Sequence, residues 1–320
     1  MFKKVSPIFV LVTILVFLLS SFMFSTVSAQ EGAPDPNTPV SNVDGVMPVA
    51  KVAGNVTMFP SFAGTGKLAP EAFQLAGSHA VAPPVASYSP ESVIVPDERT
   101  EITATTSAPS RFIAYLVVTW ANYAQGACTG WFIGPRTVVT AGHCVYNTDA
   151  GAAHGWAKTI KVYPGRTGLS TPYASTSSYK LFSVKGWTDY AYPASDYGAI
   201  ETVAPLGNNT GWFGYAWQAS NTFAGTYTVR GYAGDKPAAT MWTMSGAITN
   251  ANTNRLWYSI DTFGGQSGAP LYNYVTGNGY TSYGVHTYGT SISPFYGNSA
   301  TRITQSVFNN LTTWKASPYP

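Results

Sequence analysis

The stretches 112–120, 131–133, 138–141, 159–163, 181–184, 199–203, 227–232, 256–260 and 283–287 are short and rich in β-branched or aromatic residues. Gly, Pro, Asn and Ser separate them. Turn formers between short apolar runs suit closely spaced strands, so the chain is expected to be all-β, a barrel or sandwich rather than a series of βαβ units. One segment breaks the pattern. Ile303, Val307, Leu311 and Trp314 recur at three- and four-residue steps, with Gln305, Asn309 and Lys315 between them. That spacing predicts one C-terminal amphipathic helix packed on the body. No internal repeat is present.

The N-terminal third has a different texture. Lys3 and Lys4 precede an apolar run over 8–24, and Val27-Ser28-Ala29 has the small-x-small form of a cleavage site. Residues 1–29 therefore read as a secretory signal peptide. An uncleaved anchor is the competing reading, which the Ala29 site and the polar continuation disfavour. Residues 30–91 are rich in Pro, Ala, Val and Gly, show no sustained period and read as a propeptide or linker that buries little. All nine Trp lie beyond Ser92, so the folded body is expected to be 92–320, large enough for one sizeable domain or two small barrels. No later run reaches the roughly 20 apolar residues of a membrane span. The mature protein is expected to be secreted, with no membrane association once the signal is removed.

Charged residues make up 10% of the chain and the net charge is +3, scattered rather than clustered, which argues against a nucleic-acid partner. The two cysteines, Cys128 and Cys144, suit one disulfide in an exported protein. Two cysteines and one nearby histidine are too few for a structural zinc site, and no metal or cofactor is expected.

Two stretches carry chemistry. In Asp261-Thr-Phe-Gly-Gly-Gln-Ser-Gly-Ala-Pro270 a serine sits in a glycine-rich turn between two apolar runs. A serine nucleophile needs a base and backbone donors for the oxyanion, and here the amides of Gly265 and Ser267 could supply the donors. A plain Gly/Ser hairpin loop would also fit. In Cys128-Thr-Gly-Trp-Phe-Ile-Gly-Pro-Arg-Thr-Val-Val-Thr-Ala-Gly-His-Cys144 a strand delivers His143 into a turn that Cys144 can tie back to Cys128. A histidine so held is a candidate general base. Asp196, just before an apolar strand, is the candidate carboxylate to orient it, with Asp189 the rival.

The order His, Asp, Ser is that of the chymotrypsin triad. The motifs Thr140-Ala-Gly-His-Cys144, Asp196-Tyr-Gly-Ala-Ile200 and Gly264-Gly-Gln-Ser-Gly-Ala-Pro270 resemble those of chymotrypsin-like serine peptidases, and among them the glutamyl endopeptidases of Gram-positive bacteria. Ser92-Val-Ile, Asp97-Glu-Arg-Thr100, Gly211-Trp-Phe-Gly-Tyr215 and Thr301-Arg-Ile-Thr304 add to the likeness, which covers 92–320 and none of 30–91.

The resemblance implies two six-stranded β-barrels, divided near residue 205, with the active site between them. It implies Ser267 as nucleophile, His143 as general acid and base, and Asp196 as its orienter, in a monomer acting on protein or peptide substrates. It also implies that Thr262 and His286 bind the side chain of a glutamate before the cut. Asp261 stands where trypsin-like enzymes place the carboxylate that selects Lys or Arg, which keeps that specificity open as an alternative. A non-catalytic binding protein on a peptidase scaffold is the reading from another class. Gln266 precedes the serine where trypsin-like zymogens have an activating aspartate, and the Glu91-Ser92 bond would itself suit a glutamyl enzyme.

Overall fold

In the computed structural model the described residues are 34–49, 52, 56–69 and 92–320. The expected signal peptide, 1–29, lies outside them. Among the described residues before the body lie β1 (Pro39–Ser41), its two-residue hairpin partner Gly45–Val46, and β2 (Met58–Phe59); β3 (Thr100–Ile102) follows Ser92.

The first sheet contains β4 (Ile113–Thr119), β5 (Gln125–Phe132), β6 (Thr137–Thr140), β7 (Thr159–Pro164), β8 (Thr176–Val184) and β9 (Gly198–Thr202). Its order is β7-β4-β5-β6-β9-β8, and β7 also pairs with β8, which closes a six-stranded barrel. The barrel is filled by Leu116, Phe132, Val138, Ile160, Val162, Leu181 and Ile200, all essentially inaccessible. The chain passes to the second sheet between Thr202 and Gly214.

The second sheet contains β10 (Gly214–Ala216), β11 (Tyr227–Tyr232), β12 (Met241–Gly246), β13 (Ile248–Ala251), β14 (Arg255–Tyr258), β15 (Pro270–Val275), β16 (Gly279–Tyr288) and β17 (Asn298–Arg302). Its order is β13-β14-β17-β16-β15-β11-β12-β3, with β10 joining β16 in parallel. The expected all-β architecture is thus present, as a closed six-stranded barrel and a second sheet with extra short strands.

The predicted helix is α1 (Gln305–Lys315). Thr304 caps it by accepting the amide of Val307, and Val307, Leu311 and Trp314 face inward as their spacing requires. Among the described residues no helix is long and apolar enough to cross a membrane.

Most of the described residues of 34–69 are exposed or half-buried, in keeping with the expectation for 30–91, but the segment is not a plain linker. β1 pairs antiparallel with β8 and is buried along its length, and β2 pairs with β10. A strand added to a sheet edge is held by backbone hydrogen bonds, which leave no hydrophobic period in the sequence.

Register brings the chemistry-bearing turns to common ends. Gly198 of β9 pairs with Thr140 of β6, so the residues just before Gly198 and just after Thr140 emerge together. Pro270 of β15 pairs with Val285 of β16, which places the turn holding Ser267 beside the end of β16.

Candidate active site

His143 lies in a single 3-10 turn, Gly142–Cys144, directly after β6. The Cys128–Cys144 disulfide ties that turn to β5. His143 donates its backbone N–H to Asp196 Oδ1 at 2.9 Å, and its ring Nδ1 lies 2.8 Å from Asp196 Oδ2. One residue therefore engages both carboxylate oxygens. A carboxylate facing Nδ1 fixes the tautomer with the proton on that nitrogen, leaving Nε2 as the basic position. Asp196 is wholly buried, whereas Asp189 is exposed and accepts from Thr188. The structure thus brings Asp196, not Asp189, to His143.

Gly142 makes the approach possible, since a Cβ there would stand 2.9 Å from the Trp187 ring and 3.0 Å from Asp196 Oδ1. The His143 ring is flanked by Trp187 and Tyr288, each with its centroid at 6.3 Å. Behind Tyr288 sits Arg255, its guanidinium 5.0 Å from the ring centroid. Arg255 donates to Pro193 O at 2.7 Å and to Thr287 Oγ1 at 2.9 Å, joining the Asp196 loop to β16. Burial pushes its pKa down, while Tyr288 and Asp196 oppose that shift. Sequence reasoning missed Arg255, because an arginine in a strand carries no local signal of burial.

Ser267 is 7% exposed, in a turn shaped by two glycines with positive φ, Gly265 (+101°) and Gly268 (+88°). A Cβ on Gly265 would meet Tyr232 O at 2.6 Å, and one on Gly268 would meet Thr129 O at 2.2 Å. The Gly264–Gly265 and Gln266–Ser267 peptide planes are anchored by their carbonyls. Gly264 O accepts from Gly234 N at 2.7 Å, and Gln266 O accepts from Ala269 N at 2.8 Å. With those carbonyls pinned, the N–H groups of Gly265 and Ser267 are directed the opposite way.

Thr129 of the first barrel grips the same turn. Its N–H donates to Ser267 O at 2.9 Å, and its hydroxyl donates to Gly265 O at 2.9 Å while accepting Tyr232 N at 2.9 Å. Cys144 Sγ lies 3.8 Å from Ser267 O, so the serine turn adjoins the turn of His143.

His286 is fully buried on β16, with Nδ1 2.6 Å from the Tyr258 hydroxyl. Its backbone brackets the serine turn, accepting Gly268 N at 2.7 Å and donating to Ala269 O at 2.9 Å. Thr262 is also fully buried, and its Oγ1 has no hydrogen-bond partner among the described residues. Its N–H faces Ser92 O at 3.4 Å. Asn298 clasps Ser92 from the other side, accepting Ser92 N at 3.0 Å and donating to Ser92 O at 2.7 Å.

Asp261 has a different environment from the one the Lys/Arg alternative needs. Its Oδ1 accepts Ile94 N at 2.7 Å and its Oδ2 accepts Glu98 N at 3.0 Å, with the residue 1% exposed. Both oxygens serve to hold the segment after Ser92. Gln266 is occupied likewise, its Oε1 accepting from Phe263 N and from Arg99. Arg99 is in turn paired with Asp97 and Asp235. Burial works against the Arg99 charge, but hydrogen bonds to the two aspartates outweigh it and raise its pKa. The Arg99 hydrogen bond holds the Asp97 carboxyl well below the usual carboxylate range, against desolvation.

The sulfurs of Cys128 and Cys144 and a ring nitrogen of His143 lie within 4.8 Å of one another, the one such cluster among the described residues. Both sulfurs are joined in the disulfide and His143 Nδ1 faces Asp196, so this trio does not fit the ligand set of a metal.

Residues 128–278 match the model of the trypsin-like peptidase domain. The chain is 42% identical over 307 residues to a glutamyl endopeptidase of Bacillus licheniformis, with 90% of each chain covered. That coverage reaches upstream of Ser92, further than the motifs alone suggest. It is 38% identical over 312 residues, 96% of each chain, to a Bacillus subtilis protein named extracellular metalloprotease. Among solved structures, a Glu endopeptidase in complex with MPD superposes with a TM-score of 0.61 at 30% identity, covering 70% of this chain and all of the other.

Proposed function

Since the chain belongs to the glutamyl endopeptidase family and is a chymotrypsin-like serine endopeptidase, we propose that it hydrolyses peptide bonds after Glu, and after Asp more slowly, through Ser267, His143 and Asp196. In the peptidase body, 92–320, His143 and Asp196 come from the first barrel and Ser267 from the second. Nε2 of His143 takes the Ser267 proton as Oγ attacks the carbonyl carbon, and Asp196 steadies the imidazolium that forms. The Gly265 and Ser267 amides receive the oxyanion, a contribution of roughly 3 kcal/mol per donor in comparable sites. Collapse passes the proton to the leaving amine and leaves an acyl-enzyme on Ser267. Water, deprotonated by the same imidazole, then releases the acid.

The observation that carries the Glu reading is the buried Thr262 hydroxyl, which has no hydrogen-bond partner among the described residues. A buried hydroxyl without a partner is costly, and a substrate carboxylate would satisfy it. His286 and the Ser92 amine would be the neighbouring donors. Cutting the Glu91-Ser92 bond would generate that amine where Asn298 and Thr262 already hold Ser92. The protein is proposed to act outside the cell as a monomer on protein or peptide substrates, without cofactor or nucleic-acid partner.

Matched peptides with Glu, Asp, Lys, Arg or Phe before the scissile bond test the reading. Preference for Glu is expected. Preference for Lys or Arg would overturn the pocket while keeping the triad. Failure of a serine-reactive fluorophosphonate to label Ser267 would overturn the triad itself.

A further inference from the structure

The upstream segment grips the peptidase body with two arms. The first, 35–49, adds β1 to the barrel edge at β8, and the bonding continues past the strand. Lys185 N donates to Thr38 O at 2.9 Å, Leu181 N donates to Asn42 Oδ1 at 2.8 Å, and Lys180 Nζ pairs with Asp44 at 3.0 Å. Asn37 reaches further in. The Tyr197 hydroxyl donates to its Oδ1 at 3.1 Å, and Asn310 of α1 donates to its carbonyl at 2.8 Å. The second arm, 56–69, adds β2 to β10. Phe59 stacks on Phe308 of α1, with centroids 5.2 Å apart. Phe62 exchanges both backbone hydrogen bonds with Trp212, at 2.9 and 2.8 Å.

The body is cut to receive this segment. Gly214, in the Gly211-Trp-Phe-Gly-Tyr215 motif, has no positive φ that would call for glycine. A Cβ there would stand 2.3 Å from Phe59 O, 2.9 Å from Ser61 N and 3.0 Å from Pro60 C. The three atoms nearest to it all belong to the upstream segment. Gly211 also lies against the segment, its Cβ position 2.3 Å from Phe62 O, though its φ of +82° already calls for glycine. Real Cβ atoms do not approach that closely, so Gly214 is fitted to the segment's backbone.

We infer that the body formed by 92–320 carries a dedicated binding surface for its own propeptide, and that residues 35–69 remain seated there as a non-covalent second chain after the bond before Ser92 is cut. The inference rests on that proposed cut. Two strand additions on two separate sheets, joined by one tether, hold better than either alone, because release requires both to open together.

The test uses the full chain, left to process and then passed through native gel filtration at low micromolar concentration. Mass spectrometry is expected to find a fragment containing 35–69 in the peak of 92–320, at one to one. Elution of the body without it overturns the inference. Gly214→Ala and, separately, Phe59→Ala are each expected to cut the retained fraction at least tenfold. Retention unchanged in Phe59→Ala also overturns it. This variant decides the matter if Gly214→Ala does not fold, because Phe59 lies outside the peptidase body. If the chain does not cut itself before Ser92, the processing reading fails separately. A site for an unrelated protease placed between residues 70 and 91 then puts the same retention question to the same two variants.

Discussion

The Tyr258 hydroxyl lies 2.6 Å from Nδ1 of His286, and both side chains are wholly buried. A ring tethered on one nitrogen presents the other in a fixed direction. Replacing His286 by Ala is expected to lower kcat/KM on Glu peptides by roughly 10- to 150-fold, the value of a hydrogen bond to a charged group, with far less effect on residual cleavage after other residues. Tyr258→Phe is expected to cost about fivefold, corresponding to about 1 kcal/mol for a neutral hydrogen bond. Peptide kinetics on both variants check this, and equal losses on all substrates would remove His286 from the pocket.

Asp261→Asn separates structure from specificity. The change leaves at most one oxygen to accept the Ile94 and Glu98 amides that the carboxylate now accepts together. A loss of roughly 1–3 kcal/mol in stability is expected, measured by denaturant unfolding, with the Glu-over-Lys preference unchanged. A collapse of Lys or Arg cleavage in this variant would restore Asp261 to the pocket.

Asp196→Asn is expected to reduce kcat by about 10⁴-fold with the fold intact, the effect that the corresponding change has in the trypsin triad. Asp189→Asn is expected to leave kcat within about twofold, since that residue is exposed and, among the described residues, its carboxylate accepts a hydrogen bond only from the Thr188 hydroxyl. Steady-state kinetics beside circular dichroism distinguish loss of chemistry from loss of structure.

The Asp97–Arg99–Asp235 cluster gives an acid limb to stability. The folded-state pKa of Asp97 is lowered, chiefly by the Arg99 hydrogen bond, so the native state binds that proton less readily than the unfolded chain. Its stabilisation is therefore complete above the unfolded value of about 3.9 and is lost as pH falls toward the folded value. The melting-temperature difference between the parent and Asp97→Asn is expected to be constant above about pH 5 and to shrink below about pH 4.

Much of the peptidase body was legible before its structure. The runs at 112–120, 199–203 and 227–232 became strands, buried largely on alternate residues in 227–232 and on nearly every strand residue in the other two. The helix followed from the spacing of Val307, Leu311 and Trp314. The strand Asn298–Arg302 was illegible. It is buried from end to end yet mostly polar, and its side chains find partners far away in sequence, as Asn298 does at Ser92 and Thr301 at Asp196 O. Long-range partners also hid the roles of Arg255 and Arg99. The His143–Asp196 pairing could be anticipated from a motif and a chain order. That Asp261 is filled by backbone amides could not, because amides carry no residue identity.

Thr129 gives the molecule a property of another kind. One threonine on the first barrel holds the carbonyls of Gly265 and Ser267 across the junction, and so braces the Gly265–Gln266 and Ser267–Gly268 peptides. The two barrels are therefore not interchangeable modules. A serine loop transplanted with its own barrel onto a foreign partner would keep its residues and its internal anchors and lose this brace. Any hinge-like parting of the two sides would release the Gly265 and Ser267 carbonyls from Thr129 while His143 and Asp196, both on one side of the hinge, stayed aligned.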